Sequence, residues 1–250
     1  MDSGLYAAYT GLLSRTQALD TAANNLANAG TNGFRAQRDY FSDVMAGMDA
    51  PGSAGDSQLG RAVNDYGVLG GNSLDLGHGA ITSTGNPLDL ALDGQGFFAI
   101  QTSNGVRYTR DGGFTRSSSG TLQTPEGEPV LDAHGNTITL PSGEISISTD
   151  GSISVAGPEG SAIVAQVGVF NFAAQALTAE GTNRFAAVPG DKPQPGSAAV
   201  RQGSVEGSNE DAVHGTMQLL LIQRQAEMMQ KALSAFDGLD KTAVEEIARV

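Results

Sequence analysis

The stretch LDTAANNLANAGTNGFRAQ, residues 19–37, decides how the chain is built. Its first half completes a helix in which Leu5, Leu12, Leu19 and Leu26 recur at the heptad interval. Tyr9, Thr16 and Ala23 fill the intervening positions of a coiled-coil seam. A second row, Ala7, Gly11, Ser14, Ala18, Ala22 and Ala29, keeps helical spacing on roughly the opposite side. Between Leu5 and Asn28 only Arg15 and Asp20 carry charge, so the helix lacks the solvated stripe of an ordinary surface helix. Asn28, Gly30, Asn32 and Gly33 then predict its end, because Gly and Asn tolerate left-handed backbone and make turns, and Phe34 offers an apolar anchor to the exiting chain.

The other terminus mirrors this. From about residue 212 to 247, Leu219, Ile222, Ala226, Met229, Leu233 and Phe236 alternate spacings of three and four, with Val213, Met217, Leu220 and Met228 on an adjoining face. Ser208 or Asn209 is the expected N-cap, and Gly238 is a weak point where a bend or break is expected.

The sequence between the helices reads as β. In NPLDLALDGQGFFAI, Leu88, Leu90 and Leu92 alternate with Asp89, Ala91 and Asp93, and Asp93-Gly94 predicts a hairpin into Phe97, Phe98 and Ile100. EISISTDGSISV predicts a second hairpin, with Ile145 and Ile147 facing Ile153 and Val155 across an Asp-Gly turn. Turn signals at Asn104-Gly105, Asp111-Gly112 and Gly135-Asn136 separate further short strands. Residues 46–79 and 189–198 read as the outward and return connections. The expected fold is α+β: paired terminal helices of residues 1–40 and 205–250 forming one discontinuous coiled-coil assembly domain, a Gly-rich connection over 41–80, and a mostly antiparallel β domain over 81–204.

Composition narrows the function. A net charge of −13 without any Lys/Arg cluster argues against nucleic acid. The absence of cysteine excludes disulfides, thiolate nucleophiles and thiolate metal sites. The first twenty residues lack a secretory signal, and no apolar run is long enough to insert in a membrane. His78, His134 and His214 have no second ligand at metal spacing. LDGQGFF lacks the third glycine and following helix of a dinucleotide loop, and neither DAHGNTI nor STDGS completes a calcium loop. No Gly-x-Ser-x-Gly elbow is present. The expectation is a protein with no catalytic residue, cofactor, metal or small-molecule substrate.

ANNLANAGTNGFRAQ resembles the N-terminal signature of the bacterial flagellar basal-body rod and hook family. GHGAITSTGNPLDLALDGQGFFAI, RYTRDGGFTRSSSGTL, VGVFNFAAQALTAEGTNRF and VRQGSVEGSNEDAV resemble the family in the same order. One departure is Thr31-Asn32-Gly33-Phe34, where the family commonly has Thr-Pro-Gly-Phe or Thr-Thr-Gly-Phe. The start MDSGLY, together with FRAQRDYF and QRQAEMMQ, is more similar to the family's proximal rod branch than to its distal one. The resemblance implies a structural subunit of the periplasm-spanning rod that leaves the cell through the flagellar type III export apparatus without a cleaved Sec signal. Its implied partners are further copies and neighbouring rod proteins. The residues expected at the assembly interface are Leu5, Tyr9, Leu12, Ala18, Leu19, Ala22, Asn25, Leu26, Asn28 and Phe34, with Leu219, Ile222, Met229, Leu233 and Phe236. The competing classes are a distal rod or hook-type axial subunit, a secreted monomeric β binding module, and an enzyme whose paired carboxylates meet only on folding.

Overall fold

A computed structural model describes residues 2–42, 68–157 and 160–247. The 43–67 part of the predicted connection lies outside the described residues. The chain opens with α1 (Asp2–Ala27), β1 (Gln37–Ser42) and β2 (Val68–Leu74). There follow β3 (Ile81–Ser83), β4 (Leu90–Asp93), β5 (Phe97–Thr102), β6 (Gly105–Thr109), β7 (Thr115–Arg116) and β8 (Leu122–Gln123). Next come β9 (Glu144–Ile147), β10 (Ser152–Gly157), β11 (Gly160–Gln166), β12 (Val169–Asn171), β13 (Leu177–Ala179) and β14 (Arg184–Ala187). The chain closes with β15 (Gln194–Pro195), β16 (Ala199–Gln202), β17 (Ser204–Glu206) and α2 (Ala212–Ile247).

Two compact units emerge, one of residues 1–24, 37–73 and 213–250, the other of residues 25–36 and 74–212. In the second, the largest sheet has the order β13-β14-β6-β5-β12-β15, beside a three-stranded sheet β11-β10-β9 and the two-stranded pairs β16-β4, β17-β3 and β7-β8. These pairings are antiparallel. Residues 25–36, 205 and 206 fall in the sheet unit here, whereas the division read from the sequence pattern groups them with the helical ends.

The Asp-Gly hairpin forms in the expected register, Ile147 opposite Ile153 and Ile145 opposite Val155. Asp150 stabilises it locally, its carboxylate accepting from the Ser152 amide at 3.1 Å. Asn104-Gly105 likewise turns β5 into β6. The expected hairpin at Asp93-Gly94 is not formed. β4 pairs with β16, Leu92 opposite Val200, while β5 pairs with β6 and β12. The physical reason is burial on both faces: Leu90, Ala91 and Leu92 are all buried, so β4 is an interior strand and not an amphipathic hairpin arm. Gly94, at φ 120°, lets the chain change sheets there.

β5 likewise feeds two cores. Phe98 and Ile100 join Leu90, Leu92, Phe114, Leu122 and Ile153 in one cluster. Phe97 and Ala99, on the alternate face, join Tyr108, Phe172 and Phe185 in the other. Phe97 meets Phe185 edge-on at 5.4 Å, and Phe98 meets Phe114 at 5.2 Å, the arrangement that aromatic quadrupoles favour. The two expected connections are partly structured. The outward one contains β2, paired with β1, and the return one contains β15, where Pro195 lies opposite Phe170.

The helical unit contains α1 to residue 24, β1, most of β2, and α2 from residue 213. Helix α1 ends at Ala27 through successive tight turns, in which the amides of Asn28, Ala29, Thr31 and Phe34 donate three residues back. No described residue other than glycine takes a positive φ, so Asn28 and Asn32 contribute turn polarity and not left-handed backbone. α2 continues through Gly238 without the expected break.

Candidate functional site

Two features stand out: the surfaces of the helices and a buried charge cluster within the sheet unit. On α1, among residues 9–27, the buried ones are Gly11, Ser14, Ala18, Ala22 and Asn25, at helical spacing, and Asn28 just past its end is buried too. This is the small row: Ala18 and Ala22 are 5% exposed and already covered within the subunit. Its neighbourhood includes Thr21, whose hydroxyl donates to the Asp39 carboxylate on β1 at 3.0 Å. Burial, partly offset by that bond, raises the Asp39 pKa above its ordinary value. The seam residues Leu12, Leu19 and Leu26 are half-buried, and Tyr9 and Leu13 are exposed. For Leu5 only the backbone is described.

On α2, Leu219, Ile222, Ala226, Met229 and Leu233 are half-buried, whereas Phe236 is described in backbone only. The adjoining face is open. Val213, Met217, Leu220, Leu221 and Met228 are between 51% and 71% exposed. Leu221 was not singled out by the spacing, though it extends the row that Val213, Met217 and Leu220 begin. Such a run of large apolar side chains exceeds the scattered exposed residues normal for a monomer surface.

The second feature is a buried charge cluster within the sheet unit. Glu206, at the end of β17, is 0% exposed. Its Oε1 accepts from Arg35 Nη2 at 2.5 Å and from the Gly79 amide at 3.0 Å, and its Oε2 accepts from Arg110 Nη1 at 2.8 Å. Arg110 also donates to the carbonyls of Leu92 at 3.2 Å and Gly94 at 2.6 Å. Burial pushes the Arg110 guanidinium down to about 10, with Glu206 pulling it up and Arg35 pushing it down, so the residue keeps its charge at neutral pH. His78 Nδ1 stands 3.8 Å from the same carboxylate, at the surface.

Around this cluster the backbone is stitched. The Gly33 amide donates to the Glu206 carbonyl at 2.8 Å, and the Ala36 amide donates to Asn209 Oδ1 at 2.7 Å. Asn209 Nδ2 donates in turn to the carbonyls of Asp75 at 2.9 Å and Gly77 at 3.2 Å. Asn209 therefore braces two chain segments, and α2 begins only at Ala212, later than the expected cap. Gly33 has φ 69°, and a Cβ there would lie 2.1 Å from the Asp111 nitrogen. Only glycine fits that position. Phe34, the expected anchor, is buried beside it.

A carboxylate pair does line one cavity, Asp111 and Glu126, but its volume of about 10 Å³ holds no more than one water. Among the described residues no group of three or more His, Asp or Glu gathers as metal ligands would.

Comparison with known proteins places these features. Residues 5–35 match the flagella basal body rod protein family, and residues 91–155 match the D1 domain of the flagellar hook proteins FlgE/F/G. The chain is 33% identical to the flagellar basal-body rod protein FlgF of Caulobacter vibrioides over 100% of both chains. It is 34% identical to FlgG of Bacillus subtilis over 94% of this chain and 95% of that one. It is 33% identical to FlgF of Mesorhizobium japonicum over 97% and 98%. The binding-module and enzyme readings are not favoured by these relatives. An N-terminal segment rooted in a β unit, exposed apolar helix faces and full-length likeness to rod proteins agree: the chain belongs to the flagellar basal-body rod protein family, a family of structural subunits and not of enzymes.

Proposed function

We propose that the chain polymerises through its terminal helices into the periplasm-spanning part of the rod, with α1 and α2 pairing along their leucine-containing seams. The assembly domain in this reading is the helical unit of residues 1–24, 37–73 and 213–250, in place of the 1–40 and 205–250 division suggested by pattern. The observation that carries it is the open row Val213, Met217, Leu220, Leu221 and Met228 on α2. Burying one such side chain contributes about 1.5–3 kcal/mol, so five of them form a strong but unfinished contact. A head-to-tail contact between this row and a different face of the next copy propagates into a filament. Tyr9 and Leu13 extend the contact on α1, while Ala18 and Ala22, with Asn25 and Asn28, serve packing within the subunit.

Export through the flagellar apparatus without a cleaved signal, and a proximal rather than distal position, belong to the same proposal. FlgF and FlgG relatives match with nearly equal identity, so likeness alone leaves the position open. Incorporation tests the reading. Met217→Glu and Leu221→Glu should yield a soluble folded subunit that fails to enter basal bodies, whereas normal incorporation of both would remove its support.

A further inference from the structure

Resting on the reading that copies of this chain polymerise, we infer that β11 is a docking edge and that its occupant is a second copy of the chain, added as a further strand. β11 ends the three-stranded sheet β11-β10-β9. At seven residues it is longer than any other strand of the sheet unit among the described residues. It is exposed along nearly its whole length, with Ile163 75% and Val164 36% exposed. One face of this sheet sends Ile147 and Ile153 into the core. Ile163 lies opposite Ser154, itself opposite Ser146, on the other face, so the subunit leaves this large apolar side chain uncovered.

Edge strands are usually blunted against such pairing, and other edges of these sheets are. At β9 the Gln202 side chain takes the place of a next strand: its Nε2 donates to the Ile145 carbonyl at 3.0 Å, and its Oε1 accepts from the Ile147 amide at 3.1 Å. β15 ends the six-stranded sheet with only two residues, one of them Pro195, which has no amide to donate. β11 contains neither a proline nor a charged residue. Its one irregularity is a register shift between Ile153 and Ser154 that leaves Val164 without a residue opposite, so residues 160–163 form the straight stretch.

Charge selects the occupant. With 27 acidic and 14 basic residues, two copies repel wherever their acidic surfaces meet. An uncharged edge lets copies approach without that repulsion, provided the edge it meets is uncharged as well. The chain itself supplies two such counterparts, β13 (Leu-Thr-Ala) and β3 (Ile-Thr-Ser), each at the end of its sheet, with Thr178 and Thr82 exposed. β11 meeting either of them joins different surfaces of two copies, so the contact propagates instead of closing. In strand addition of this kind the main chain supplies the hydrogen bonds, and Ile163 and Val164 are the side-chain anchors.

The test uses the full-length chain, expressed in a strain lacking its own copy, with a photoreactive benzophenone side chain in place of Ile163. Isolated basal bodies are irradiated and the covalent products identified by mass spectrometry. The expected product joins two copies of this chain, from position 163 of one to β13 or β3 of the other. A second arm needs no cross-link. Ile163→Lys should leave the thermal melt of the sheet signal unchanged, because the side chain is exposed, and should lower the number of subunits per basal body about tenfold through loss of one apolar contact. Ile163→Val should restore most of that number. The inference is overturned if irradiation of rods containing the labelled subunit captures a different protein or nothing, or if position 163 joins position 163. It is equally overturned if Ile163→Lys incorporates at the wild-type level, or if it lowers the melt, since Ile163 would then already pack within the subunit. Normal incorporation of Leu221→Glu in the same strain would instead remove the helix row from the polymer reading, while the products at position 163 would still decide the strand contact.

Discussion

The sheet unit and the helical unit treat apolar surface in opposite ways. In the sheet unit Phe97 and Phe98 point to opposite faces of one strand and both are buried, each in its own core. On α2 five large apolar side chains remain more than half exposed along one helix. On the proposed reading, that open row is where the next subunit docks. The difference teaches that foldedness and burial separate here: the sheet unit closes over its core apolar residues, and the helical unit leaves a row of them exposed.

Substitutions at the buried Glu206 cluster should show the largest effect and sharpen the contrast. Arg110→Ala removes a partner of a fully buried carboxylate and should cost about 3–5 kcal/mol, read from guanidinium unfolding of the sheet signal in circular dichroism. Gly33→Ala should be comparably severe, because the backbone angle and the clash with Asp111 act together. In the core, Ile153→Val should cost about 0.5–1.5 kcal/mol in the same assay, with assembly intact. On the open face, Met217→Glu should change stability by no more than about 0.5 kcal/mol and still abolish incorporation. A large stability loss there would break the comparison, since it would mean the row is already engaged within the subunit.

The smallest effect concerns pH. Burial raises the Asp111 pKa above 3.8, against lowering by the Gly113 amide and the Asn183 side chain. A raised acid binds more protons in the folded state, so its contribution is fully present below 3.8 and is lost as pH rises through the folded value. Relative to Asp111→Asn, the wild type should therefore gain stability on acidification from neutral pH. An equal pH slope for the two proteins in thermal melts would show that Asp111 does not titrate differently on folding.

Features were legible in the sequence where the physics is local. The 145–155 hairpin joins strict alternation to an Asp-Gly turn, and both signals sit within a dozen residues. Asp93-Gly94 carried the same local signal and misled, because β4 pairs with β16, with Arg201 meeting Asp93 across 108 positions. The Arg35–Glu206 contact spans 171 positions and has no periodic trace, so nothing in either segment announced it. On α1 the alternation showed two faces without showing which one the subunit covers. Small residues admit close backbone approach, and the small face is the covered one. Family likeness supplied the role, whereas the choice of Met217 and Leu221 over Ala18 and Ala22 as interface probes needed the structure.

The most direct test of the central claim uses the absence of cysteine from the chain. Single-cysteine variants Met217→Cys, Leu221→Cys and Met228→Cys would be reacted with a maleimide as free subunits and within isolated basal bodies. The account predicts rapid labelling of all three in the free subunit and labelling at least about tenfold slower in the assembled rod, a protection that needs only the one or two kcal/mol of partial burial. Equal labelling rates in the two states would contradict it, because the open helix row would then face solvent in the rod as well.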